Sequence, residues 1–214
     1  QSPDNLVVNQ ITPSQETATV NDDTKLWTVD VEIQNNGGSE ITVDFATSGL
    51  VFSDDPTDFT YTKPTEFKNT GSTLKAGESG ILEYQITRTG SVVGDIQIGS
   101  EINFTVNNTA ETKSVRETTP GVVAVQTASL FAIGTVKTSR NLVTAGKDPN
   151  WHVTVGVQNS GGADVSLNLN DLDSTWVKLY KDDVEVAGYT FQRPTELANG
   201  GTVLAAGTRD SLIY

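Results

Sequence analysis

One stretch of this chain is written twice. Shifting the sequence by 124 positions lays Trp27–Phe45 over Trp151–Leu169, and Trp, Val, Val, Gln, Asn, Gly and Gly coincide. At a shift of 130, Pro64–Gly77 falls on Pro194–Gly207; between the blocks, Asp54-Asp55 meets Asp182-Asp183 at 128. The second copy is therefore six residues longer, an insertion that loops absorb cheaply. A period above 100 residues means tandem domains, not a solenoid of short repeats. The 214 residues divide into two units.

Within each unit the side-chain period is 2. Trp27, Val29, Val31 and Ile33 alternate with Thr28, Asp30 and Glu32, and Trp151, Val153, Val155 and Val157 repeat the pattern. Such alternation buries one face of a strand and wets the other. Ile41, Val43 and Phe45 resume the phase after Asn35-Asn36-Gly37-Gly38, whose residues tolerate positive φ and predict a hairpin turn. Leu82, Tyr84 and Ile86 form another alternating stretch, as do Ile96, Ile98, Ile102, Phe104 and Val106. No segment carries a capped i, i+3, i+4, i+7 apolar stripe. Short strands with turn signals between them predict an all-β chain, two tandem immunoglobulin-like β-sandwiches.

The polar run Asn107–Thr119, followed by Pro120-Gly121, places the boundary there. The expected domains are 1–119 and 120–214, with Val122–Val136 as the first strand region of the second, matching Leu6–Ile11. Tyr214 aligns with Tyr84, so unit 2 has no match for the Gln85–Thr119 portion of unit 1. The expectation is a second sandwich lacking its last strands, completed by further natural chain or by strands from another molecule.

Fourteen Lys+Arg against 27 Asp+Glu give a formal charge of −13. Binding a phosphate backbone needs clustered cations, so nucleic acid is not an expected partner. With no Cys there is no disulfide, thiolate metal site or Cys nucleophile, and the absence of Met reads as a processed or excised segment. The longest apolar candidate, Gly121–Val136, is interrupted by Gln126, Thr127 and Ser129 and falls short of a membrane span.

Candidate chemistry is sparse. The only histidine, His152, lies on the wet phase of its strand, and Thr28 occupies its place in unit 1. A relay with a nucleophile needs an oriented imidazole, which neither repeat demands. No catalytic residue is expected. Asp54, Asp55 and Asp58 in one loop, and Asn170, Asp171 and Asp173 in another, gather the hard oxygens that calcium takes. They lack an EF-hand spacing, and Asx residues also build loops by bonding their own backbone. No cofactor is expected beyond that possible calcium. Trp176, Tyr180 and Tyr189 fall in the expanded part of unit 2; exposed, they would stack on sugars or anchor a protein, and buried, they would fill the core. Asn103 and Asn107 head N-glycosylation sequons.

The pattern Val-x-Val-x-Asn-x-Gly-Gly, then Val177–Val186, then Leu204-Ala-Ala-Gly207, resembles the cell-adhesion-related (CARDB-like) repeats of bacterial and archaeal surface proteins. Unit 1 departs from it between Leu50 and Asp58. The resemblance implies an extracellular or cell-surface spacer or adhesion module, partnered by further copies, neighbouring immunoglobulin-like domains, a surface protein or a glycan. Two other readings stand beside it: a filament subunit joined by strand exchange, and an accessory carbohydrate-binding region of a secreted enzyme.

Overall fold

The computed structural model describes residues 5–53, 58–68, 71–144, 150–170, 177–186 and 189–214. Within them every regular element is a strand, so the chain is all-β. It divides into two compact units, Gln1–Gln126 and Thr127–Tyr214.

Unit 1 contains β1 (Leu6–Pro13), β2 (Thr17–Thr19), β3 (Trp27–Asn35), β4 (Ile41–Val43), β5 (Gly49–Phe52) and β6 (Thr60–Thr62). β7 (Thr73–Leu74), β8 (Ser79–Arg88), β9 (Gly94–Val106), β10 (Glu111–Arg116) and β11 (Gly121–Gln126) follow. One sheet has the order β1-β3-β8-β6. In the other, β9 is the hub: β4 and β5 pair along one edge, β10 and β11 along the opposite edge. β7 extends that sheet beyond β4, and β2 adds to β11 in parallel. The chain thus changes sheets between β1 and β2.

Alternation works here as expected. Along β3, Trp27, Val29, Val31, Ile33 and Asn35 are buried and the intervening residues are half-exposed. Leu82, Tyr84 and Ile86 of β8 join them, and Ile96, Ile98, Ile102, Phe104 and Val106 meet them from the second sheet in one core. Tyr84 serves this core as a hydrophobe: its hydroxyl is buried without a hydrogen-bond partner, and burial pushes its pKa well above the ordinary phenol value.

Unit 2 contains β12 (Phe131–Thr138), β13 (Val153–Asn159), β14 (Val165–Ser166), β15 (Tyr180–Lys181), β16 (Val184–Glu185), β17 (Val203–Leu204) and β18 (Arg209–Ile213). These form a β12-β13-β18 sheet and two ribbons, β14-β17 and β15-β16. A smaller core gathers Val153, Val155, Val157, Leu169, Leu197, Leu204, Leu212 and Tyr214.

Three sequence expectations are corrected. Gly121–Gln126 does not begin unit 2; it pairs with β9, and the units divide after Gln126. The Pro120-Gly121 joint is a kink on the edge of β9, where β10 stops and β11 resumes. Gly121 is required there because a Cβ would lie 2.9 Å from the Ile11 carbonyl oxygen and 3.0 Å from its Cγ2. The strand matching β1 is β12, 125 positions on, and it repeats both the pairing and the bulge: Val8↔Ile33 and Ile11↔Val31 become Ile133↔Val157 and Val136↔Val155. Finally, Asn35–Gly38 is not a hairpin turn. β3 and β4 lie in different sheets, and neither Asn35, Asn36, Gly37 nor Gly38 has a positive φ.

Candidate functional site

The Asn35 corner is where both repeats put their shared polar side chain. Asn35 is fully buried; its Nδ2 donates to the carbonyl oxygens of Ser39 (2.8 Å) and Leu74 (3.0 Å), and its Oδ1 accepts from Gly37 N–H (3.0 Å). Asn159, also fully buried, donates to Ala163 (2.8 Å) and Leu204 (3.2 Å) and accepts from Gly161 (3.1 Å) and Leu130 (3.2 Å). Each amide bonds the corner's own backbone and ties it to the strand across from it, so the buried side chain is itself fully partnered. In unit 2 the following glycines allow close approach, since a Cβ on Gly161 would sit 2.1 Å from the Ala128 carbonyl oxygen. In unit 2 the glycine pair is a packing device, and in neither unit is it a source of left-handed backbone.

Equivalence extends through the other turns. Phe67 N–H donates to Gly71 O and Leu197 N–H to Gly201 O; Gly71 and Gly201 have φ of 81° and 74°. Gly77 and Gly207 likewise lie at 83° and 69°, the left-handed region that glycine enters freely. Shared positions are thus scaffold positions.

Among the described residues, the expected chemical side chains do not converge. His152 is exposed, and Ser139 Oγ accepts from its backbone N–H (2.8 Å), as Ser14 Oγ does from Thr28 (2.9 Å). The hydroxyl belongs to a strand junction and not to a nucleophile–imidazole pair. Asp54 and Asp55 lie outside the described residues, as do Asp171, Asp173 and Trp176. Asp58 spends one carboxylate oxygen on the N–H and hydroxyl of Ser91; these bonds hold its pKa below the ordinary value of 3.8. Asn170 is exposed. No group of three or more His, Asp or Glu able to hold a metal occurs among the described residues.

Tyr189 is 46% exposed and meets Trp151 edge-on, with ring centroids 6.1 Å apart. Trp151 is half-buried against the unit 2 core, whereas its counterpart Trp27 is buried and donates from Nε1 to Thr89 Oγ1 at 3.1 Å. Tyr180 projects from the β15-β16 ribbon, whose turn places Asp182 and Asp183 at φ 49° and 63°. The two tyrosines therefore belong to different features. The sequon asparagines have local partners: Asn103 Nδ2 donates to Thr47 O (3.0 Å), and Asn107 Nδ2 to Glu40 Oε2 (2.8 Å). A shallow depression lined by Val43–Ala46 and Lys63–Thr65 holds the Lys63 ammonium on the Ala46 carbonyl, and its one acid, Asp44, accepts hydrogen bonds from the Ala46 and Thr47 N–H groups and the Thr47 hydroxyl.

Sequence reasoning missed one surface. All eight residues of β12 are exposed, including Phe131 (41%), Ile133 (67%) and Val136 (59%). Aligning Phe131–Val136 with Leu6–Ile11 would have marked these positions, since both segments are apolar at their first, third and sixth residues. No protein-family model matches the chain, and no curated protein matches it.

Proposed function

We propose that this chain is a tandem pair of immunoglobulin-like modules serving as a cell-surface spacer or adhesive region, without catalytic activity of its own. The carrying observation is that the two copies share buried hydrogen bonds, turns and a strand bulge, while their exposed candidate residues differ. Duplication has multiplied a scaffold and no reaction centre. Such a unit contributes length, valency or surface.

Strand order supports the immunoglobulin-like reading for unit 1. Taking β1, β3, β8 and β6 as strands A, B, E and D reproduces one sheet of that fold. β4 and β5 with β9 and with β10–β11 stand as C, F and G, and β2 is a first strand switched to the G edge. β12, β13 and β18 occupy the places of A, B and E in unit 2. The resemblance to CARDB-like repeats and the excess of acidic over basic residues favour a surface location. Protease treatment of intact producing cells tests it. The chain should be digested without lysis, and protection until lysis would overturn the surface assignment.

A further inference from the structure

The geometry points to a homotypic interface: β12 of one copy pairs antiparallel with β12 of a second copy about a twofold axis. β12 is an edge strand of the β12-β13-β18 sheet, and its eight residues are all exposed. It contains no proline and one charge, Lys137. Long, apolar edges of this kind template pairing with another strand, and soluble proteins ordinarily blunt them with charge, proline or cover. In unit 1 the equivalent strand ends in Pro13, and its inward Leu6 and Ile11 are buried at 5% and 6%.

Two observations favour a second copy as the occupant. The first is register. Ile133 and Val136 both face inward, because the bulge between them keeps each opposite a valine of β13. A twofold between Gly134 and Thr135 sets Ile133 opposite Val136 of the other copy, and Val136 opposite its Ile133. The same register places Phe131 opposite Thr138 and Lys137 opposite Ala132, so no like charges meet. The strand is complementary to itself, as an isologous contact requires.

The second observation is charge. Unit 1 carries seven basic against eighteen acidic residues, net −11, and unit 2 seven against nine, net −2. Contact through unit 2 joins the nearly neutral parts of two copies, whereas contacts between unit 1 surfaces would bring the large like charges together. The inference rests on strand placement and charge alone and is independent of where the protein resides.

Sedimentation equilibrium of the full 214-residue chain, over about 1–100 µM, tests it. The expected species is a dimer. Ile133→Glu and Val136→Lys, both at exposed positions, should each weaken dimerisation by roughly tenfold or more, since two cross-strand pairs per dimer are lost. Both substitutions in one chain set carboxylate opposite ammonium across the axis and should restore most of the affinity. Val122→Glu, on the exposed side of β11, should change nothing. Urea unfolding of each variant checks that the fold is retained. A chain that stays monomeric overturns the proposal, as does a dimer that Val122→Glu weakens equally. So does a double variant no better than the singles. A monomeric chain whose unit 2 is instead stabilised by a synthetic Gly94–Gln126 peptide also overturns it, because the face then belongs to a foreign strand pair.

Discussion

β1 and β12 have the same apolar spacing, the same partner strand and the same bulge, yet Ile11 is 6% exposed and Val136 59%. The difference lies above them. In unit 1, β11 crosses β1 closely enough that Gly121 touches Ile11. Unit 2 has no counterpart of β9–β11 among its described residues. Register is therefore set within a sheet, by the ladder and the Asn35 or Asn159 corner, while burial is set by whatever second layer arrives. Local devices fold the same way in both units whether or not the core above them is closed.

The largest contrast should come from the paired tryptophans. Trp27→Ala opens a cavity in a closed core and should cost unit 1 about 3–5 kcal/mol. Trp151→Ala removes a half-buried ring and should cost unit 2 about 1–2 kcal/mol, the share of ring area taken from water. Urea unfolding with amide exchange resolved by unit measures both; equal losses would mean that Trp151 is as deeply enclosed as Trp27.

The asparagines should behave alike. Asn35→Ala strands two carbonyls and one N–H, and Asn159→Ala two carbonyls and two N–H groups, at about 1–3 kcal/mol per unit. A loss confined to unit 1 would show that the corner depends on the second layer after all.

A compensating pair separates the units more finely. A Cβ on Gly80 would lie 2.7 Å from the Phe67 ring; in unit 2 the same places hold Asp210 and Leu197. Gly80→Ala should cost about 1–2 kcal/mol by overpacking. Adding Phe67→Leu should make the double variant less destabilised than the sum of the singles, a coupling that a double-mutant cycle reads directly.

The smallest effect concerns acid. Hydrogen bonds, first from the side chains of Thr24, Thr47 and Ser91, hold Asp22, Asp44 and Asp58 below the ordinary value of 3.8. Carboxylates with depressed folded values stabilise above 3.8 and lose that contribution as pH falls through their lower folded values. The stability gap between wild type and Asp58→Ala, present near neutral pH, should therefore close in acid. A gap that persists unchanged would show that Asp58 acts through packing.

Period-2 alternation made β3, β8, β9 and β13 legible, because a half-buried strand writes its two faces directly into sequence. Corners were less legible. Asn-Gly-Gly looks the same whether it supplies positive φ to a hairpin or an amide and two small surfaces to a jump between sheets. Pro120-Gly121 looked like a joint because a kink within a strand edge and a linker use the same residues. The candidate sites were the least legible, since acidic loop residues such as Asp58 can cap a neighbouring turn as readily as bind an ion.

β2 and β11 stand at opposite ends of unit 1 in sequence but run parallel, with Thr17, Ala18 and Thr19 beside Ala124, Val125 and Gln126. Bonds from Ala124 N–H to Glu16 O and from Val20 N–H to Gln126 O close the pair. Tension drawn between the two ends of the unit pulls these strands past each other along their length. The clasp then bears load in shear, with its bonds strained together and not peeled one at a time, so unit 1 should resist stretching best along the direction in which a tether would pull it.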